Sequence, residues 1–224
     1  MVTDIRYKIF DLMKEYGDML QVQERTRKEV LEKKNDGTIF FLEHNEVYTV
    51  GIRGKENHFL NLSHENGKTP AVYKVRRGGE VTWHGPGQLI IYPVINFRKA
   101  KFRSIREFVN FFGESISISL RDFCGIKKAV WLEDTPGVWV DDRKIAFVGF
   151  HFSKFVPIHG FSVNLNPDMS HFKTIIPCGI PGCKITSVKH ETEKEFSIKE
   201  MSENILSILK EKIPDIYEDR MEEQ

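Results

Sequence analysis

The chain has few cysteines, no long apolar run and almost no net charge, and each shortage excludes something. Three cysteines in 224 residues, Cys124, Cys178 and Cys183, are too few and too irregularly spaced for a disulfide framework. At least one is expected as a free thiol. The C-x4-C spacing of Cys178 and Cys183 has no second ligand pair beside it, so no metal site is expected. No stretch approaches the roughly 18 apolar residues of a membrane span. The first residues, MVTDIRYKIFDLMKEYGD, mix acids with bases and hold no apolar targeting core. A cytoplasmic protein with no membrane partner is the expectation. Basic side chains number 33 and acidic ones 32, for a net charge of +1. That leaves no global basic field to hold phosphate backbones, and no nucleic-acid partner is expected. The Gly-Lys-Ser/Thr ending of a phosphate loop and the dinucleotide pattern G-x-G-x-x-G are both missing.

What remains is an ordinary globular composition, 40% hydrophobic and 29% charged, without repeats, low-complexity tracts or a dividing linker. One domain over residues 1–224 is expected. Apolar residues from Asp11 to about Asn35 recur at helical spacing before Gly37 and predict one long amphipathic helix. Thr38 to Leu42 and Val47 to Val50 read as adjacent strands joined by a turn at His44–Glu46. Ala71 to Arg76, Leu89 to Ile95 and Phe161 to Val163 are further strands, and Gly137 to Gly149 reads as a hairpin turning at Asp141 and Asp142. Ser104 with Glu107, and Ser197 with Glu200, are capping-box patterns that predict helices to about Phe123 and up to Pro214. The elements add up to an α+β fold.

Two segments could carry chemistry. Arg77 to Gln88 packs four glycines, a proline, an arginine and a histidine into twelve residues between strands. Glycine has no Cβ, so backbone N–H groups there can approach a ligand, although such loops are often only turns. Cys178 sits in Ile175-Ile176-Pro177-Cys178-Gly179-Ile180, where Pro177 restricts the backbone and Gly179 could turn its N–H toward an oxyanion beside the sulfur. A lone cysteine is more often a small buried hydrophobe, which is the reading for Cys124. A nucleophilic thiol needs a cation nearby, because the thiolate is the attacking form. Lys144, His84 and His159 are the candidates; His151 and His171 lack a comparable setting.

Taken together these residues resemble the lipoyl(octanoyl) transferases, also called lipoate-protein ligase B. The similar blocks run through nearly the whole chain: Phe41-Leu42-Glu43-His44, Tyr48-Thr49-Val50-Gly51, Arg77 to Gln88, Gly137-Val138-Trp139-Val140, Lys144-Ile145-Ala146, His159-Gly160, Asn164-Leu165-Asn166, Pro177-Cys178-Gly179 and Thr186-Ser187. The resemblance implies the biotin/lipoate protein ligase catalytic-domain fold, with mixed β-sheets flanked by helices. It implies Cys178 as nucleophile and Lys144 as the residue that lowers its pKa. The implied substrate pocket is Arg77, Gly78, Gly79, Glu80, Val81, Thr82, Trp83 and His84, with Phe147, Val148 and Gly149, and with Gly160, Phe161 and Ser162. The implied reaction carries an octanoyl group from octanoyl-acyl carrier protein, through a Cys178 thioester, to a lysine of lipoyl domains. Those domains would be glycine cleavage H protein and 2-oxoacid dehydrogenase E2 subunits. No cofactor is implied beyond the carrier's phosphopantetheine. An ATP-dependent lipoate-protein ligase, a lipoyl/octanoyl amidotransferase and a non-catalytic lipoyl-domain or acyl-carrier binding module are the alternatives. Phe147 is bulkier than the small residue often found there. The basic run Lys99, Lys101, Arg103 and Arg106 could dock an acidic carrier.

Overall fold

The computed structural model describes residues 4–60, 70–179, 182–213 and 217–218, with the side chains of Glu56, Cys178 and Glu218 outside that description. Ile180 and Pro214, used above, lie outside the described residues. In chain order the elements are β1 (Ile5–Ile9), α1 (Tyr16–Leu31), β2 (Gly37–Leu42), β3 (Val47–Val50), β4 (Ala71–Lys74), β5 (Val81–His84), β6 (Gln88–Ile95) and α2 (Ile105–Asp122). There follow β7 (Ala129–Leu132), β8 (Gly137–Val140), β9 (Arg143–Ser153), β10 (Val156–Asn164), β11 (Lys184–Ile185), α3 (Val188–Thr192), α4 (Ile198–Lys212) and β12 (Tyr217–Glu218).

The main sheet has the order β12-β1-β2-β6-β10-β9-β8-β7, with β11 added beside β9. Its centre, β6, reads QLIIYPVI and is buried along its whole length, as an uninterrupted apolar strand must be when both faces are covered. Alternation then sorts the side chains. Phe40, Leu42, Ile90, Tyr92 and Val94 meet Met19 and Val30 of α1. Ile39, Phe41, Leu89, Ile91 and Ile95 meet Phe108, Phe112, Ile116 and Leu120 of α2, with Met201, Ile205 and Leu209 of α4. Both predicted caps form: Ser104 accepts from the Glu107 N–H, and Ser197 and Glu200 close a full capping box. Among the described residues, no helix is long and apolar enough to cross a membrane.

Three expectations change. The first helix starts at Tyr16, not Asp11, and the chain before it forms β1 in parallel with β2. Leu12 and Met13 are exposed in the connection, since a helical period continued backward through them meets no core. β2 and β3 belong to different sheets: β2 lies beside β6, while β3 sits between β4 and β5 in a three-stranded sheet. Finally, Val81 to His84, read as part of a loop, is a strand antiparallel to β3. The small sheet packs Tyr48, Val81 and Trp83 over Phe147, Phe172 and Ile175.

Candidate active site

The site forms where the main sheet is incomplete. β8 pairs with β9 only as far as Gly137 opposite Phe147, whereas β9 continues to Ser153 against β10. Beyond that point the Arg77–Gly79 turn takes the vacant edge, with the Gly78 N–H donating to the Phe150 carbonyl at 2.9 Å. A cavity of about 490 Å³ opens there, between the two sheets and the first turns of α2. Such a volume suits a small organic group.

Thirteen of the fourteen residues expected in the pocket line this one cavity, together with Lys144. The exception is Trp83, which points into the small-sheet core and stacks on His171 at 4.5 Å. One wall is apolar, made by Val109, Phe147, Val148, Phe150, Phe152 and Phe161; the opposite wall presents Tyr16, His84, Tyr92 and His159. The sequence reading missed Tyr16, Val109, Phe150 and Phe152. The alternation Val148-Phe150-Phe152 on β9 was the available signal, but without the sheet's gap it reads as ordinary core.

Arg77 is buried and binds protein rather than standing ready for a ligand. Its guanidinium donates to the Thr49 hydroxyl and carbonyl (3.0, 2.8 and 2.7 Å), to the Glu80 carbonyl (2.8 Å) and to the Gly78 carbonyl (2.9 Å). The glycine N–H groups are also partly committed, since that of Gly87 donates to the Glu43 carboxylate at 2.7 Å. The loop is therefore a braced wall more than an open amide cradle.

Burial first, and then the nearby cations and imidazoles, push His84 down to about 3. Burial and the Arg77 charge push His159 to about 3 as well. Both are neutral at pH 7, because neither can be solvated as an imidazolium. Two of the three candidate cations are thereby removed. An amide chain sets the His84 tautomer. Asn164 donates to the Thr186 carbonyl (3.0 Å), so its oxygen accepts from Gln88 (2.9 Å), and the Gln88 oxygen accepts from His84 Nδ1 (2.7 Å). His84 carries its proton on Nδ1 and a lone pair on Nε2.

Lys144 is the remaining cation. It is 6% exposed, donates from Nζ to the Pro136 carbonyl at 2.9 Å, and stands over the rings of Trp139 (5.2 Å) and Phe147 (5.3 Å). A buried ammonium needs such partners. The bulky Phe147 thus serves as a face for the ammonium. Gly137 makes room for the stem: with φ at +156°, any Cβ there would lie 2.3 Å from Lys144 Cε. β11 holds the strand from the other side, with the Thr186 N–H on the Lys144 carbonyl at 3.0 Å.

The backbone of Cys178 lies in a single 3-10 turn, Pro177–Gly179. A Cβ on Gly179 would stand 2.9 Å from Glu80 Cγ, so this turn abuts the cavity wall at Glu80. The Gly179 N–H donates to the Ile176 carbonyl at 3.1 Å, closing the turn instead of facing an oxyanion. Cys124 is buried, its thiol pushed up to about 12 by burial, with Met201 sulfur at 3.8 Å. It is an inert core residue. Cys183 is half-buried, with its Sγ 3.9 Å from the Lys184 carbonyl.

A braced loop, a buried lysine and an apolar cavity at a sheet gap on an α+β frame define an acyl-binding ligase or transferase domain. Residues 15–210 match the lipoyl protein ligase A/B catalytic domain, and the chain belongs to that family. Within it, an octanoyltransferase of Christiangramia forsetii is 34% identical over 220 residues, covering 89% of this chain and 92% of the relative. The octanoyltransferase of Caldanaerobacter subterraneus is 32% identical over 209 residues, covering 93% and 88%. Solved structures share the fold at lower identity. LipL1 of P. falciparum in complex with lipoate has a TM-score of 0.70 at 11% identity, covering 96% of this chain and 65% of that one. Biotin protein ligase of Aquifex aeolicus, bound to biotin and ATP, has 0.54 at 15%, covering 93% and 70%.

Proposed function

We propose that this chain is an octanoyltransferase that moves an octanoyl group from octanoyl-acyl carrier protein to Cys178 as a thioester, and from there to a lysine of a lipoyl domain. The observation that carries this reading is a buried Lys144 ammonium on the wall of an apolar cavity whose rim, Glu80, abuts the Cys178 turn, in a chain 34% identical to an octanoyltransferase. Thioester exchange is nearly isoenergetic and keeps the acyl group activated, so the reaction needs neither ATP nor a cofactor beyond the carrier's phosphopantetheine. The Cys178 thiolate, paired with the Lys144 ammonium, attacks the carrier thioester. The leaving pantetheine thiolate takes a proton from Lys144. Neutral Lys144 then receives a proton from the incoming lysine ammonium, whose nitrogen displaces the Cys178 sulfur. The acceptors are the H protein of glycine cleavage and the E2 subunits of 2-oxoacid dehydrogenases.

Incubation with octanoyl-acyl carrier protein is expected to add one octanoyl mass, labile to hydroxylamine and mapped to Cys178. Lys144→Ala and Cys178→Ala should fold and transfer nothing. Normal turnover by Cys178→Ala, or ATP-dependent pyrophosphate release with lipoate, would replace this reading with a ligase.

A further inference from the structure

The proton count of the second half-reaction leaves one proton without a carrier. Making an amide from an ammonium releases two protons, and neutral Lys144 takes one as Cys178 leaves as its thiolate. The other has to reach water, and a second base beside the thioester would carry it there. The buried imidazoles of the cavity wall do not supply one, because His84 and His159 are both near 3.

His58 stands in the right place. It ends a 3-10 turn, Glu56–His58, and its carbonyl accepts from the Ile176 N–H at 2.7 Å. Phe59 bridges Ile175 antiparallel, and the Leu60 N–H donates to the Thr174 carbonyl at 2.8 Å. His58 is thus clamped to the segment that runs into the Cys178 turn. Its ring reaches that turn: a Cβ on Gly179 would lie 3.1 Å from His58 Cε1. Of the two ring nitrogens that flank Cε1, Nδ1 is shielded from water and has no hydrogen-bond partner among the described residues. In the tautomer with its proton on Nε2, Nδ1 is an acceptor with no partner among the described residues. A charged neighbour at the same turn is Glu80, whose carboxylate is held by Arg53 at 2.9 Å.

We propose that His58 is the second base of the transfer step: Nδ1 accepts one proton from the acceptor's nitrogen as it attacks the Cys178 thioester, and Nε2 gives one to water. The C–N bond forms, the C–S bond breaks, and the sulfur leaves as the thiolate beside the Lys144 ammonium. This rests on the thioester reading above.

The test separates the two half-reactions by intact mass. Wild-type chain, His58→Ala and His58→Gln are each charged with octanoyl-acyl carrier protein. They are then discharged either by an apo lipoyl domain or by hydroxylamine, which arrives uncharged and so releases a single proton, the one Lys144 takes, and needs no second base. Both variants are expected to acylate within about threefold of wild type and to discharge normally to hydroxylamine. Discharge to the lipoyl domain should slow about 10²-fold or more, with partial recovery in added imidazole for His58→Ala. Wild-type discharge by either variant overturns the proposal. So does an equal loss of acylation and of both discharges in both variants, which would make His58 only a support for the turn. A wild-type chain that takes no octanoyl group overturns the thioester reading itself, and the proposal with it.

Discussion

At the scale of single residues, the site depends on where bulk is missing. Lys144 reaches the cavity because Gly137 has no side chain: a methyl group there would sit 2.3 Å from Lys144 Cε and 2.7 Å from the Ala146 carbonyl. Gly137→Ala is expected to displace the ammonium by a fraction of its length and slow thioester formation about 10²-fold, since a 1 Å misplacement has that effect. Unchanged acylation by the folded variant would show that the lysine's position is not critical. Gly160 is constrained by its own neighbour, as a Cβ would meet the Ile91 carbonyl at 2.0 Å. The blocks Gly137-Val138-Trp139-Val140 and His159-Gly160 were legible in the sequence as motifs. Their reasons were not, because the atoms that forbid a Cβ come from other strands.

At the scale of elements, the apolar wall of the cavity is an extension of the core between α2 and the sheet. Phe108 and Phe112 pack within the same cluster as Phe161, and Phe112 stacks on Phe161 at 6.2 Å, while Phe161 also lines the cavity. Phe112→Ala should cost about 3–5 kcal/mol of stability, read as a lower urea midpoint, and should also loosen the acyl wall. A variant with an unchanged midpoint would mean that α2 contributes little to the core. The helix itself was readable from its period and its Ser104 cap. The first helix was not, because Leu12 and Met13 satisfy the same period without a surface to pack on.

At the scale of the whole molecule, pH and charge matter most. Three buried histidines, His44 at about 4 and His84 and His159 at about 3, are neutral in the fold but titrate near 6.5 when unfolded. Their folded values lie below the unfolded one, so the unfolded chain binds more protons below pH 6.5. Stability is full above that pH and falls as pH drops toward 3–4, by up to about 1.4 kcal/mol per pH unit for each histidine. Urea midpoints between pH 7 and 4.5 test this; a flat profile would contradict it, and His84→Gln should flatten the slope. Charge also bears on the proposed docking of an acyl carrier. Lys99 pairs with Asp36 and Arg103 with Glu107, while Arg106 makes no ion pair among the described residues and lies one turn before Val109 at the cavity. Arg106→Glu is expected to raise KM for the acidic carrier at low salt, the difference shrinking as salt screens it. An equal KM would place the carrier elsewhere.

The sequence by itself determined the fold class and the helix caps and put forward Lys144 and Cys178 as candidates, because caps, periods and motif blocks are local and survive without coordinates. Only the tertiary structure decided that β2 and β3 part into two sheets and that His84 and His159 are too deeply buried to be cations. It also turned Trp83 away from the cavity, closed the Gly179 N–H onto Ile176, and brought His58 beside the cysteine turn. Each of these depends on contacts between segments far apart in the chain, and no local pattern encodes which distant surface a residue will meet.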